Sequence, residues 1–324
     1  MNPSLNNRIT QATLALALCV LIGLVWKFIP HPVVVIAIGL VPAAALFVLH
    51  QPFLMVLLFV IFSFFRIHEV FPQLYSMKIP LLLSMASLGA LIWHVGLTRK
   101  IKVYWRPELT AVTLFFALVL IGIVLASNRP IALAYFTGIY WKIAVMTFAI
   151  AWLSRTARDF TLASRLITVS GLLVGLVALY NKANGIGLVE GTRVTIGRAI
   201  GSMLGDPNDL ALVLMFPASF AVSLIMTRGT GRFTRLLGLT SILVLFSAVV
   251  ATQSRGGLLG MVTVFGVFGY RRVRSKVLFL GVGLIAAAAL YVLAGISERA
   301  SGGAAEAGMD ASAMGRLYAL SLIH

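Results

Sequence analysis

The chain has 324 residues, of which 60% are hydrophobic and 11% charged, and it carries a formal net charge of +17. Its mean hydropathy of +1.02 excludes a soluble globular domain and points to a chain made mostly of membrane spans. The basic residues are scattered over separate short loops rather than gathered on one face, so no nucleic-acid partner is expected.

The chain opens with Arg8 and an apolar run from Ala12 to Ile29 that ends at Pro30-His31-Pro32 without a small-residue cleavage site. That pattern reads as an uncleaved first span rather than a signal peptide. Cys19 lies inside it and is the single cysteine, which excludes an intrachain disulfide and a Cys/His metal cluster. Apolar windows predict about eleven spans: 12–29, 33–49, 53–65, 79–97, 109–126, 131–153, 162–181, 208–226, 236–253, 257–270 and 277–294. The third is short and is expected to be tilted, broken or paired with the second as a re-entrant segment. Runs this long in lipid must satisfy their backbone groups internally, so the fold class is all-α. The expectation is one integral membrane domain over 1–324, a polytopic transmembrane helix bundle.

Every second gap between these runs is basic. Arg99, Lys100, Lys102 and Arg106 mark the first such gap, and Arg155 to Arg165 the second. Arg228, Arg232 and Arg235 mark the third, and Arg271, Arg272, Arg274 and Lys276 the fourth. Cytoplasmic loops hold such an excess, so the N-terminus is assigned to the cytoplasm. The gaps near 66–78, 127–130, 182–207, 253–257 and 295–324 then face outward. Trp26, Trp93, Trp105, Trp141 and Trp152 fall near span ends, as an interfacial belt requires. Gly171-xxx-Gly175 and Gly256-xxx-Gly260 permit close helix contact. After the last span a new apolar stretch, Leu317 to Ile323, has only begun when the chain reaches His324, so 295–324 reads as the start of a longer outward loop.

All nine acidic residues lie in loops or at span ends. Ion-coupled transport favours ionisable groups in the membrane interior, and divalent-metal sites favour converging carboxylates; the sequence offers neither, and no metal is expected. The outward segments carry the unusual residues instead. Asp206-Pro207-Asn208-Asp209 opens an apolar run, with Asp206 as N-cap, Pro207 in the first turn and Asp209 completing a capping arrangement. With Arg193 and Arg198 nearby, the same helix start suits an anion such as pyrophosphate. Thr252-Gln253-Ser254-Arg255-Gly256-Gly257 is a tight outward turn, and its Arg255 runs against the charge bias. Arg255 either snorkels to headgroups or stands as a fixed guanidinium beside backbone N–H groups that glycines leave open to a phosphate. Lys142 lies about 10 Å inside the sixth span if that helix is regular, where it snorkels outward or lines a polar cavity. Arg316 is a further outward arginine, and Arg66-Ile67-His68-Glu69 a possible outer polar cluster. His31, His50 and His94 sit near span ends as interfacial residues.

Gly205-Asp206-Pro207-Asn208-Asp209-Leu210-Ala211 opening a span resembles the O-antigen ligase and O-antigen polymerase superfamily. Thr252-Gln253-Ser254-Arg255-Gly256-Gly257 and the following Gly315-Arg316 fit the same pattern. The likeness covers roughly residues 80–324, and the branch it looks most like is the exosortase-associated O-glycosylation ligase group. The resemblance implies a multi-pass protein of the bacterial inner membrane, with 182–207 and 295–324 in the periplasm. It implies metal-independent, inverting transfer of a glycan from undecaprenyl pyrophosphate to an acceptor that is lipid A-core, protein or a growing glycan, with no cofactor. Arg255 matches the family's SRG-type arginine and Arg316 its loop arginine, both as pyrophosphate ligands with Arg198 and Arg193 beside them. Asp206, Asn208, Ser254, Gly256 and Lys142 are supporting residues. The family's catalytic histidine falls beyond His324, which is not itself assigned as the base. Two competing readings are a transporter or flippase of a lipid-linked or small solute, and a non-catalytic component of an envelope glycan assembly machine.

Overall fold

A computed structural model describes residues 32–70, 74 and 77–272, with isolated positions between 20 and 23 and between 275 and 288. The predicted spans 12–29 and 277–294, the segment 295–324 and Arg316 fall outside the continuous described stretch. Among the described residues there is no strand, only one isolated bridge between Val189 and Arg193. Besides a single helical turn at Ile67–Val70, the longer helices among the described residues are α1 (Pro32–His50), α2 (Pro52–Phe64), α3 (Ile79–Ile92), α4 (Pro107–Leu125), α5 (Arg129–Tyr135), α6 (Trp141–Leu153), α7 (Ala157–Ala183), α8 (Pro207–Met226), α9 (Arg232–Thr252) and α10 (Arg255–Arg272).

Among the described residues six helical stretches are long and apolar enough to cross a membrane: Ile79–Leu97, Pro107–Leu125, Arg129–Leu153, Ala157–Asn184, Pro207–Met226 and Arg232–Thr252. The fold is therefore that of an all-helical membrane protein. The short third span behaves as its length suggests, because Gly39–His50 and Pro52–Phe64 are bent by 95° at the intervening break. α10 is not among the six; it begins at Arg255 and ends at Arg271-Arg272. π-helical turns extend α3 (Trp93–Leu97) and join α5 to α6 (Phe136–Tyr140). The sixth span is thus not regular, and Lys142 follows the irregular turn as an exposed side chain in the first turn of α6.

The chain divides into two compact units, residues 1–57 with 82–154 and residues 58–81 with 155–324. In the first, the segment after the α3 extension folds onto the end of α6. Tyr104 Oη donates to the Ala151 carbonyl at 2.8 Å, Trp152 Nε1 donates to the Tyr104 carbonyl at 3.0 Å, and Trp105 stacks on Phe148. α1 and the α3 extension meet where His94 Nε2 pairs with the Leu49 carbonyl at 2.7 Å.

The second unit is built on α7, α8 and α9. α7 starts at a capping box in which Thr156 Oγ1 accepts from Asp159 N–H and the Asp159 carboxylate accepts from Thr156 N–H. The three helices pack on one another, burying Ile167, Val174 and Ala178 of α7, Leu210, Leu214, Ala218 and Ala221 of α8, and Leu245, Ala248 and Val249 of α9. Small residues permit these approaches, as expected where lipid supplies no hydrophobic drive between helices. A Cβ on Gly171 would collide with the Pro217 ring, and one on Gly238 would lie 2.8 Å from the Ala221 carbonyl oxygen. α10 packs on α8 in the same way. A Cβ on Gly257 would meet Ala211 Cβ at 2.5 Å, and one on Gly260 would collide with Met215 Sδ, whereas Gly256 has open space above it. The contact face is therefore Gly257 and Gly260, one helical turn apart, rather than the predicted Gly256 and Gly260.

Candidate functional site

Three separated segments of the second unit meet at one end: 66–69 after α2, the 189–206 loop, and the α9–α10 turn. Asp206 takes extended backbone angles and caps α8, its Oδ1 accepting from Asn208 N–H at 2.7 Å and Asp209 N–H at 3.3 Å. The cap expected at Asp206-Pro207 is present, but it is not reciprocal: the Asp206 N–H donates to the Met203 carbonyl instead.

Ser254 caps α10 in the same manner. It is 2% exposed, and its Oγ accepts from Gly257 N–H at 3.2 Å while donating to Asn208 Oδ1 at 3.0 Å. Asn208 Oδ1 also accepts from Arg193 Nη2 at 3.1 Å, and Arg193 Nε donates to the Thr252 carbonyl at 3.1 Å. Arg193 is 4% exposed. Its guanidinium therefore joins the C-terminal carbonyl of α9 to the first turn of α8. The loop is bound to the turn at two more points: Val194 N–H donates to the Ala251 carbonyl, and Thr192 Oγ1 to Gln253 Oε1. Gln253 reverses the chain in the left-handed region, at φ 51°.

The other two described arginines of the expected set are exposed. Arg198 leads a short helical turn and donates from Nη1 to the Gly205 carbonyl at 3.3 Å. That fold needs a glycine, since a Cβ on Gly205 would lie 2.9 Å from Arg198 Cα. Arg255 is the first residue of α10 and is solvent-facing. The N–H of the adjacent Gly256 makes no hydrogen bond among the described residues. The Asp206 cap takes the first-turn donors of α8; the start of α10 keeps its partial positive charge and the Gly256 N–H, and beside the exposed guanidinium groups it forms a surface suited to an oxyanion. Lys142 belongs to the other unit.

Directly below Arg255 the surface changes character. Gly256, Leu259, Gly260, Thr263 and Val264 of α10 face Leu212, Met215 and Phe216 of α8 and Phe64 of α2 across a groove of about 640 Å³. Its lining is almost wholly apolar. A basic, N–H-bearing head thus continues into an apolar trough between α8 and α10.

The outer polar cluster at 66–69 forms as well, and its reach was not readable from the sequence. Glu69 is 8% exposed; it accepts from Arg66 Nη1 and from Ser202 Oγ, 133 residues away, each at 2.5 Å. Arg66 holds φ 48° and its Nη2 lies on Met203 Sδ at 2.9 Å. His68 Nε2 stands 3.9 Å from Glu69 Oε1. The cluster pins the second half of the 189–206 loop, as Arg193 pins the first.

No family model, curated protein or solved structure matches this chain.

Proposed function

We propose that this protein transfers a glycan from undecaprenyl pyrophosphate to an acceptor at the periplasmic face of a bacterial inner membrane, in the manner of O-antigen ligases and polymerases. The observation that carries the reading is the juxtaposition at α10: Arg255 and the open Gly256 N–H at the head, and the apolar trough between α8 and α10 beneath. A diphosphate attached to a long prenyl chain has that same division into a charged head and an apolar tail.

In this reading Arg255 and Arg198 bind the diphosphate, with Arg316 joining them from the segment outside the described residues. Arg193, Asp206, Asn208 and Ser254 hold the two helix starts in register, so they position the site rather than touch the donor. Lys142 is a supporting residue of the same reading. Pyrophosphate leaves readily once its developing charge is met, and guanidinium groups at the mouth of the trough meet it without a metal ion. The acceptor hydroxyl loses its proton to a base. Attack on the face opposite the leaving group inverts the anomeric centre through an oxocarbenium-like state. The topology that goes with this has about eleven spans with the N-terminus inside. The meeting of 66–69, 189–206 and 252–255 at one end of their unit supports that alternation.

The test is glycan transfer in membranes carrying Arg255→Ala, Arg198→Ala or Gly256→Phe, each compared with wild type at matched membrane abundance. The arginine variants should lose transfer by about tenfold or more each, the loss expected for a charge-assisted contact made to the departing group. Gly256→Phe, which fills the trough, should raise the donor concentration needed. Full transfer by Arg255→Ala would overturn the reading.

A further inference from the structure

The first unit contains a second, unrelated feature. The break between α1 and α2, the π-helical end of α3 and the loop after it enclose a groove of about 470 Å³ lined by Leu46, Leu49, His50, Pro52, Trp93, His94, Lys100 and Ile101. Its form is fixed by contacts that the transfer reading does not use. His94 bridges the two walls, with Nε2 on the Leu49 carbonyl at 2.7 Å and Nδ1 on Thr98 Oγ1 at 3.3 Å. His50 Nδ1 is taken by the Leu46 carbonyl at 2.9 Å. Arg99 sits in the left-handed region at φ 50°, a conformation that disfavours a non-glycine residue. The reversal lets Ile101 N–H bond to the His94 carbonyl and brings Lys100 to the lip of the groove.

Two donors at this groove make no bond among the described residues. Among the described residues the Lys100 ammonium makes no hydrogen bond or ion pair. The Trp93 indole N–H likewise has no partner, whereas the indoles of Trp105, Trp141 and Trp152 each donate to protein. Leu46, Leu49, Pro52 and Ile101 supply an apolar wall beside them. A cation and an N–H over an apolar wall, at the end of a membrane helix, match a phosphate ester with an acyl chain rather than a soluble anion.

We infer that this groove binds one anionic phospholipid, its phosphate held by Lys100 and Trp93, its acyl chain lying along Leu46, Leu49 and Ile101. The site is independent of the glycan-transfer reading and survives that reading's failure.

The full chain, purified in detergent and exchanged into mixed phosphatidylglycerol and phosphatidylcholine, tests it by mass spectrometry of the retained lipid. Wild type should retain phosphatidylglycerol in preference. Lys100→Ala should lower that retention about fivefold, the effect of one basic residue at an anionic surface. Trp93→Phe, which keeps the ring and deletes the N–H, should lower it about threefold. Lys102→Ala makes the same change of charge two residues along and should leave it unaltered. Equal retention of the two lipids, or equal loss from Lys100→Ala and Lys102→Ala, would overturn the site. So would displacement of the lipid by millimolar inorganic phosphate, which would assign the donors to a soluble anion.

Discussion

Asn208 Oδ1 accepts a hydrogen bond from Ser254 Oγ at 3.0 Å across 46 residues of sequence, and this contact ties the first turn of α8 to the cap of α10. Each partner already has a local duty: Ser254 caps α10, and Asn208 receives Arg193. The bond therefore couples two helix starts and a buried guanidinium into one network.

A double-mutant cycle on this pair measures the coupling. Ser254→Ala removes a cap as well as the bond and should destabilise by about 1–2 kcal/mol. Asn208→Ala withdraws the acceptor from Arg193 Nη2 and should destabilise by about 1–3 kcal/mol. The double variant should fall short of the sum by about 0.5–1.5 kcal/mol, because the two groups share one network. SDS-driven unfolding in mixed micelles reads all three; strict additivity would mean that the helix starts are held independently.

Arg193 and Arg255 should separate stability from function. Arg193 is buried and its fork spans Thr252 and Asn208, so Arg193→Ala takes the guanidinium donor from the Thr252 carbonyl and leaves Asn208 Oδ1 with Ser254 alone. A loss of about 3 kcal/mol is expected, and Arg193→Lys should recover little of it because one ammonium cannot reproduce the planar fork. Arg255 is exposed, and its replacement by Ala should change unfolding by less than about 0.5 kcal/mol while reducing glycan transfer. The paired measurements are the unfolding midpoint and transfer at matched abundance. A marginal effect of Arg193→Ala on unfolding would contradict the structural role given to it.

These contrasts mark what the sequence can reveal. Hydropathy alone located the helices from 79 to 253, since membrane spans advertise themselves by length and composition. The Asp206 cap was legible because Asp-Pro-x-Asp acts within four residues. The exposure of Arg198 and Arg255 and the burial of Arg193 were not legible, as burial depends on which loop folds over which helix end. Thr252 lies 59 residues from Arg193, and Ser202 lies 133 from Glu69. The helix-contact motif was read one residue out of register. Gly256 and Gly257 are chemically identical, and only the position of α8 decides which of them faces Ala211.

That register supplies a clean comparison. Gly257→Ala must push Ala211 or the helix aside and should destabilise by about 1–3 kcal/mol. Gly256→Ala adds a methyl in open space at a helical position without positive φ, so it should be neutral or stabilise by up to about 1 kcal/mol. Unfolding in mixed micelles distinguishes them, and the reverse order would restore the Gly256 and Gly260 face.

Glu69 should govern the order of the 198–206 segment. Its carboxylate is buried, with Arg66 on one oxygen and Ser202 on the other, and Ser202 in turn caps the short helical turn ahead of α8 by accepting from Leu204 N–H at 3.1 Å. Glu69→Ala removes the acceptor for both donors, leaving the strained left-handed turn at Arg66 with only the Met203 Sδ contact and its backbone bond to residue 69. The expected result is faster hydrogen exchange and proteolysis over 198–206, by about tenfold, with little change in α7 and α9. Ser202→Ala keeps the Arg66 pair and should give a smaller increase, whereas Arg66→Ala leaves a buried carboxylate without its cation and should approach the effect of Glu69→Ala. Equal protection of the segment in wild type and Glu69→Ala would show that Arg193 and the α8 cap hold the loop without help from the 66–69 turn.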